Sequence, residues 1–266
     1  MQTSLHTQRS NERTFPFILA GLILFLTGSF ISIDWMNYLS GTDSIYPAYI
    51  KPVISLLCLV IACGALRFGL DRKDARLLAV IYACILIVDV TMSIYVYAPP
   101  STLTSTAFLI GAALSIVAHL LLIVRHARGF AFLRSAKKSW LYRFGFPLAF
   151  YLPVIVILLL LTPQLNRVNQ FWPSIVYALI LTTSLWIAWE TVRQKLFPRP
   201  NAWLIALGVT SWFITELVGV VHNIEIGALS DIAMNLTWLF YMPAILLLAF
   251  SGYRWSDSHS KPRTSH

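Results

Sequence analysis

Apolar runs, each about twenty residues long, recur eight times along this chain and account for most of its length. Such a run has the length that an α-helix needs to cross the hydrocarbon core of a bilayer. The runs occupy residues 15–33, 49–67, 77–97, 105–125, 146–163, 170–190, 202–222 and 231–251. They predict an all-α bundle of eight membrane-spanning helices. Seven is the competing number, because the run at 146–163 is short and lies close to the next one.

The composition agrees with this class and excludes an ordinary soluble domain. Hydrophobic residues make up 58% of the 266 residues, charged residues make up 12%, and the mean hydropathy is +0.71. A soluble domain would carry about 25% charged residues. We therefore predict one membrane domain over residues 15–251, between polar tails at 1–14 and 252–266. The first tail is expected to be disordered.

The basic residues predict the orientation of the chain. Eighteen of the 20 lysines and arginines fall in the two tails and in alternate connections between the runs, whereas Lys51 and Arg167 fall on the other side. Because cytoplasmic segments carry the excess of Lys and Arg, both termini are predicted to be cytoplasmic. We expect a multi-pass protein of the cell membrane, which in a bacterium would be the inner membrane. Basic loops beside anionic lipids also explain the net charge of +9 without nucleic acid.

Three ionisable side chains, Asp89, His119 and Glu216, are predicted to lie deep inside the runs. Counted from the cytoplasmic end of its run, Asp89 lies ~18 Å into the bilayer, near the midplane or slightly beyond it. An ionised carboxylate at that depth is costly, so we expect it to be paired, hydrated or protonated. Two acids and a histidine in an apolar interior suit acid–base chemistry on a membrane-dissolved substrate. A structural hydrogen bond between helices is the alternative.

His119 also belongs to a stripe of small and polar residues. Gly111, Ser115 and His119 recur every four residues and therefore lie on one side of a helix. Lipid does not favour such a stripe, so we expect it to face other helices or a polar cavity. Polar side chains of this and other runs are candidate substrate-binding residues, namely Lys51, Ser93, Ser115, Asn235 and Tyr241.

The edges of the runs carry further expectations. Lys51 either reaches the interface as an anchor or pairs with an acid or a phosphate. A loop with Asp34, Trp35 and Tyr38 is expected after the first run, at the outer interface. Glu190 lies near the cytoplasmic end of its run, where water can solvate it. The basic, aromatic connection at 126–145 can either lie on the lipid surface or act as a plain connector.

The cysteines and histidines predict no metal and no other cofactor. Cys58, Cys63 and Cys84 lie in apolar runs without the spacing of metal ligands, and we interpret them as packing thiols. His119 is deep but lacks a second ligand at helical spacing. No glycine-rich phosphate-binding loop is present in the sequence.

Several of these residues, taken in order, resemble the YhhN/TMEM86 family of lysoplasmalogenase-like membrane proteins. The features that match are Lys51-Pro52, Asp89, the run from Phe108 through Gly111 to His119, the segment from Gly208 to Thr215-Glu216, and the segment from Trp238 to Ser251 with Tyr241. The likeness covers roughly residues 48–251. Val88 stands where the family has a glycine before the first acid, and Thr215-Glu216 stands where it has Ser-Asp.

The resemblance implies a hydrolase that acts on lysophospholipids and cleaves the vinyl-ether bond of lysoplasmalogens, giving a fatty aldehyde and a glycerophospho-head group. In this hypothesis a protonated Asp89 donates a proton to the vinyl carbon. Glu216 stabilises the resulting cation or activates water, and His119 orients water or relays protons. The substrate and the surrounding membrane lipids are the implied partners.

Two other classes of protein use the same residue types. Intramembrane acids and histidines form proton relays in transporters, and an acid in the third span of each half fits a parallel repeat of four plus four helices. A non-catalytic scaffold or lipid-binding protein could use the acids as hydrogen-bond partners between helices. A carrier would be recognised by substrate uptake without product formation.

Overall fold

The computed structural model describes residues 2–42, 46–128, 140–167, 169–223 and 228–255. These residues form eight helices, and none of them belongs to a β-strand apart from one isolated antiparallel bridge between Gly69 and Tyr253. The helices are α1 (Gln2–Ser40), α2 (Tyr46–Phe68), α3 (Arg72–Tyr97), α4 (Thr102–His126), α5 (Trp140–Arg167), α6 (Phe171–Arg193), α7 (Arg199–Asn223) and α8 (Ala228–Phe250).

The all-α, multi-pass class predicted from the sequence is confirmed. Seven of the helices, α1 to α7, are long and apolar enough to cross a membrane. In α8 the apolar segment found among the described residues is Asn235–Phe250, which is shorter than these seven.

Local sequence explains where the helices begin and end. After α3, Pro99 and Pro100 cannot continue a helical hydrogen-bond pattern. Ser101 then starts α4 with a capping box, in which its Oγ accepts from the Thr104 amide at 3.3 Å and its own amide donates to Thr104 Oγ1 at 2.8 Å.

Three expectations about the edges of the runs are wrong. Helix α1 begins at Gln2 rather than after a disordered tail, and it continues to Ser40, so Asp34, Trp35 and Tyr38 are helical instead of forming a loop. Glu190 is only 1% exposed and is not solvated, because Trp186, Arg193 and Gln194 all donate to its carboxylate. Residues 129–139 of the basic connection and residues 256–266 of the second tail lie outside the described residues.

Six helices form a closed ring. Each of α2, α3, α4, α6, α7 and α8 packs against the next in that order, and α8 returns to α2. Helix α1 lies outside the ring against α2 and α8, and α5 lies outside it against α6. Each half of the chain therefore contributes one peripheral helix followed by three ring helices, and α3 and α7 occupy opposite positions.

A buried ion pair joins the ring helices at one end. Arg125, in the last turn of α4, is 0% exposed and donates to Asp74, in the first turn of α3, at 3.1 and 2.8 Å. Its third contact is Ser251 Oγ at 2.8 Å, just after α8. The side-chain amide of Asn201 in α7 donates to the Ser251 and Tyr253 carbonyls at 2.8 and 2.7 Å. This cluster therefore fixes α3, α4, α7 and the segment after α8 to one another.

The segment after α8 also holds the connection between α2 and α3. The Leu70 amide donates to the Gly252 carbonyl at 3.1 Å, and the Arg254 amide donates to the Phe68 carbonyl at 3.1 Å. Burial raises the pKa of Tyr253 to about 12, so its phenol stays protonated and donates to the Ile61 carbonyl at 2.7 Å.

Asp74→Asn should lower the free energy of unfolding by about 3 kcal/mol, because it leaves the buried Arg125 without its counter-charge. Thermal unfolding of the detergent-purified protein would measure the loss.

Asp71→Asn is the matched control, since the Asp71 side chain is 60% exposed and lies 3.7 Å from Arg128. We expect it to change stability by less than about 1 kcal/mol. Equal effects of the two variants would contradict the stabilising role of the buried pair.

Candidate functional site

Asp89 is the centre of a buried polar cluster inside the ring. It lies on α3 and is 1% exposed. Lys51 Nζ of α2 lies 3.2 Å from its Oδ1, and the Tyr241 hydroxyl of α8 donates to both carboxylate oxygens at 2.8 and 2.7 Å. The Ser55 hydroxyl of α2 donates to Oδ2. Four donor contacts, one of them from an ammonium group, suit an ionised carboxylate.

Helical spacing explains how α2 supplies two of these donors. Lys51 and Ser55 are four residues apart and therefore lie on the same face of α2. The Lys51 Nζ also lies 4.5 Å from the centre of the Trp238 ring and 5.3 Å from that of Tyr241, which adds cation–π attraction. Of the two interpretations of Lys51, the structure therefore shows the partner of an acid.

Glu216 on α7 has different surroundings. The indole nitrogen of Trp212, one turn earlier, donates to its Oε1 at 3.0 Å. Glu216 is partly buried and borders a cleft of about 90 Å³ between α5, α6 and α7. Aliphatic side chains form most of the wall of this cleft.

His119 on α4 is 1% exposed and lies among aromatic rings. Its ring centre is 4.7 Å from that of Trp212 and 6.1 Å from that of Tyr177. Among the described residues, neither ring nitrogen of His119 has a hydrogen-bond partner. Buried polar atoms are normally satisfied, so the unpaired nitrogens make His119 a candidate for binding a polar group of a ligand.

Tyr177 on α6 links the two sides of this region. Its hydroxyl is 3.0 Å from Ser115 Oγ of α4, and it also interacts with the Glu216 carboxyl. The stripe of Gly111, Ser115 and His119 thus faces other helices, as expected. At Gly111 an added Cβ would lie 2.9 Å from Thr91 Oγ1, which shows how closely α3 approaches α4 there.

Ring contacts connect the Asp89 cluster with the Glu216 cleft. The ring centre of Tyr241 lies 6.2 Å from that of Trp238 and 6.1 Å from that of Trp212, and Trp212 in turn contacts His119. Among the described residues, no hydrogen bond joins Asp89, His119 and Glu216 directly. The three predicted catalytic residues therefore lie along one interior path and are separated by aromatic rings.

The remaining predicted site residues divide between this region and other contacts. Tyr241 and Lys51 bind Asp89, and Ser115 contacts Tyr177. Ser93 Oγ is buried and has no hydrogen-bond partner among the described residues. Asn235 donates to Asp34 of α1 at 2.7 Å and so joins a peripheral helix to the ring.

Ser55, Tyr177 and Trp212 contact the predicted site residues but were not themselves assigned to the site from the sequence. Ser55 could have been assigned, because it lies one turn after Lys51 on the same face of α2. Trp212 could have been assigned, because it lies one turn before Glu216 and shares its face. Tyr177 lies in an apolar run with no local pattern that marks it, and only the packing of α6 against α4 reveals its partner.

The described residues contain no group of three or more His, Cys, Asp or Glu side chains that could hold a metal ion. The cysteine expectation holds for Cys58, which is buried, but Cys63 is exposed and Cys84 is half-buried. No family model, no curated protein and no solved structure matches this chain.

Lys51→Met should destabilise the protein by about 3 kcal/mol, because it leaves the Asp89 carboxylate buried without a cation. Lys51→Met combined with Asp89→Asn should be more stable than Lys51→Met alone, since no unpaired charge remains. Thermal unfolding of the single and double variants would measure this coupling.

Lys73→Met serves as the control, because Lys73 is exposed in the first turn of α3. Its effect should stay within about 0.5 kcal/mol. If the double variant loses as much stability as Lys51→Met and Asp89→Asn lose in total when each is measured alone, Lys51 and Asp89 are not coupled.

Proposed function

We propose that this protein is a membrane-embedded hydrolase of lysophospholipids that cleaves the vinyl-ether bond of lysoplasmalogens. The observation that carries the proposal is the contrast between its two deep acids. Asp89 is paired with a cation, whereas Glu216 borders an apolar cleft. A pair of acids in such different environments is the arrangement in which one group keeps its proton and the other stays ionised.

Hydrolysis of a vinyl ether begins with transfer of a proton to the carbon that is not bonded to oxygen. The resulting oxocarbenium ion is attacked by water at the carbon beside the oxygen. The water loses a proton, which restores the acid, and the hemiacetal then breaks its carbon–oxygen bond. The products are an aldehyde and the glycerol alcohol, and one water molecule is consumed.

The family resemblance implies Asp89 as the proton donor, but the contacts support Glu216 in that role instead. Glu216 borders the apolar cleft and, unlike Asp89, forms no ion pair among the described residues, so we assign it as the proton donor to carbon. Asp89 carries its charge within the Lys51 pair and acts through the electrostatics of the interior rather than as the donor. His119 has two ring nitrogens free to bind and orient water.

We further propose that all eight helices cross the cell membrane and that both termini are cytoplasmic. The basic residues between α2 and α3, between α4 and α5 and between α6 and α7 support this orientation. In this arrangement the cleft beside Glu216 lies in the outer half of the bilayer, where lipids of that leaflet have access to it.

A proton-coupled carrier is the second candidate, and the repeat in the fold favours it. Asp89 and Glu216 each lie 17 residues after the first residue of their helices, and those helices occupy opposite positions in the ring. Carriers built from parallel repeats place their binding site between the halves. A non-catalytic lipid-binding protein could use the same acids for packing.

Purified protein should release fatty aldehyde from a lyso-vinyl-ether phospholipid and not from its acyl analogue. Glu216→Gln should lower the rate at least about 100-fold, as expected for loss of a general acid, and Asp89→Asn should lower it as well. Aldehyde trapping over time would measure both rates.

Glu190→Gln is the control, because it removes a buried acid whose partners Trp186, Arg193 and Gln194 all lie on its own helix. It should keep the activity. Monodisperse protein without aldehyde release would reject the hydrolase. Substrate uptake into liposomes without product would then identify a carrier, and full activity of Glu216→Gln would reject its role as donor.

A further inference from the structure

We propose that the cleft between α5, α6 and α7 binds the single hydrocarbon chain of a lysophospholipid, which enters from the surrounding lipid beside α5. This inference rests on the proposed function for the identity of the head group, but the site itself is argued from the cleft.

Most of the side chains that line the cleft, nine of thirteen, are aliphatic. Five of the nine come from α5, namely Val154, Ile157, Leu158, Leu161 and Leu165, and the others come from α6 and α7. Such a surface matches a methylene chain, because it offers close apolar contact. The polar side chains Glu216, Tyr177 and Ser174 can meet a polar or reactive part of the ligand.

The lining of the cleft is elongated along α5. From Val154 to Leu165 it follows this helix for 11 residues, which corresponds to ~16 Å of helix. A single hydrocarbon chain that lies along α5 would contact this lining over its length.

The position of α5 explains how a lipid chain would reach the cleft. This helix lies outside the ring, and its outer face carries Leu159 and Leu160, which are 68% and 70% exposed. In a membrane this face contacts lipid tails, since apolar residues of that exposure would otherwise face water. Because the opposite side of α5 forms the cleft wall, lipid chains lie next to the site.

The test uses a saturated 1-O-alkyl lysophospholipid with a diazirine in its chain, which has no vinyl ether to hydrolyse. After irradiation in liposomes of diacyl phospholipid, mass spectrometry should find labels within residues 154–165, 174–181 and 213–220. Unlabelled 1-O-alkyl lysophospholipid should compete for these sites in spite of the bulk diacyl lipid.

Leu158→Trp should reduce this labelling about tenfold, because a larger side chain in a packed site displaces the ligand. Leu159→Trp is its matched control, one residue along on the lipid-facing side, and should leave the labelling unchanged. Ala178→Phe, with Leu179→Phe as its exposed control, repeats the comparison on α6 in case the first variant does not fold.

Each outcome separates this inference from the proposed function. Cleft labelling that Leu158→Trp abolishes supports the chain site even if no aldehyde is released, in which case the hydrolase alone fails. Labelling that is equal in Leu158→Trp and Leu159→Trp, or that does not compete, overturns the chain site. Aldehyde release that both Leu158→Trp and Ala178→Phe leave intact would also overturn it while the hydrolase stands.

Discussion

The need to pair buried charge determines how the helices of this protein fit together. Apolar contact gives membrane-spanning helices little reason to choose one neighbour over another, because lipid tails are equally apolar. Charged groups do favour particular neighbouring helices, because a buried charge is costly unless an opposite charge lies next to it. Asp74 with Arg125 and Asp89 with Lys51 supply two such pairs, and each joins different helices. The first pair also suits the helix dipoles, because Asp74 lies at the start of α3 and Arg125 at the end of α4.

The two halves of the ring have similar helix arrangements, but the surroundings of their buried acids differ. Asp89 and Glu216 lie at the same distance along opposite helices, yet their neighbours differ. On the α3 side, α2 brings Lys51 and Ser55 to the acid. On the α7 side, the space next to the acid is a cleft beneath the peripheral helix α5. Environment rather than residue type therefore distinguishes the two carboxyl groups. In the proposed hydrolase, this difference lets one fold hold a proton donor and an anion.

The helices could be predicted well from the sequence. The free energy of transferring an apolar run into a membrane depends on the residues of that run and not on the helices around it. Prediction from the sequence failed where the outcome depends on rotation and packing. Asp74 and Arg125 lie near run ends and resemble solvated loop charges, although they are fully buried partners. Glu190 shows the same failure. Periodicity did place the Ser115 and His119 stripe toward other helices, but Tyr177 could be found only from the packing of α6 against α4.

The aromatic path between the two acids has a chemical consequence. In the proposed hydrolase, a carboxylate in direct contact with the proton donor would compete for the proton that the donor transfers to carbon. Tyr241 and Trp212 stand between Asp89 and Glu216 and bind one acid each, so the two groups share an electrostatic environment without sharing a hydrogen. His119 lies against Trp212, and its two unpaired nitrogens are the polar atoms at this position that no neighbour among the described residues has engaged. In the proposed hydrolase, water bound to these nitrogens would lie against Trp212 and apart from the Asp89–Lys51 pair.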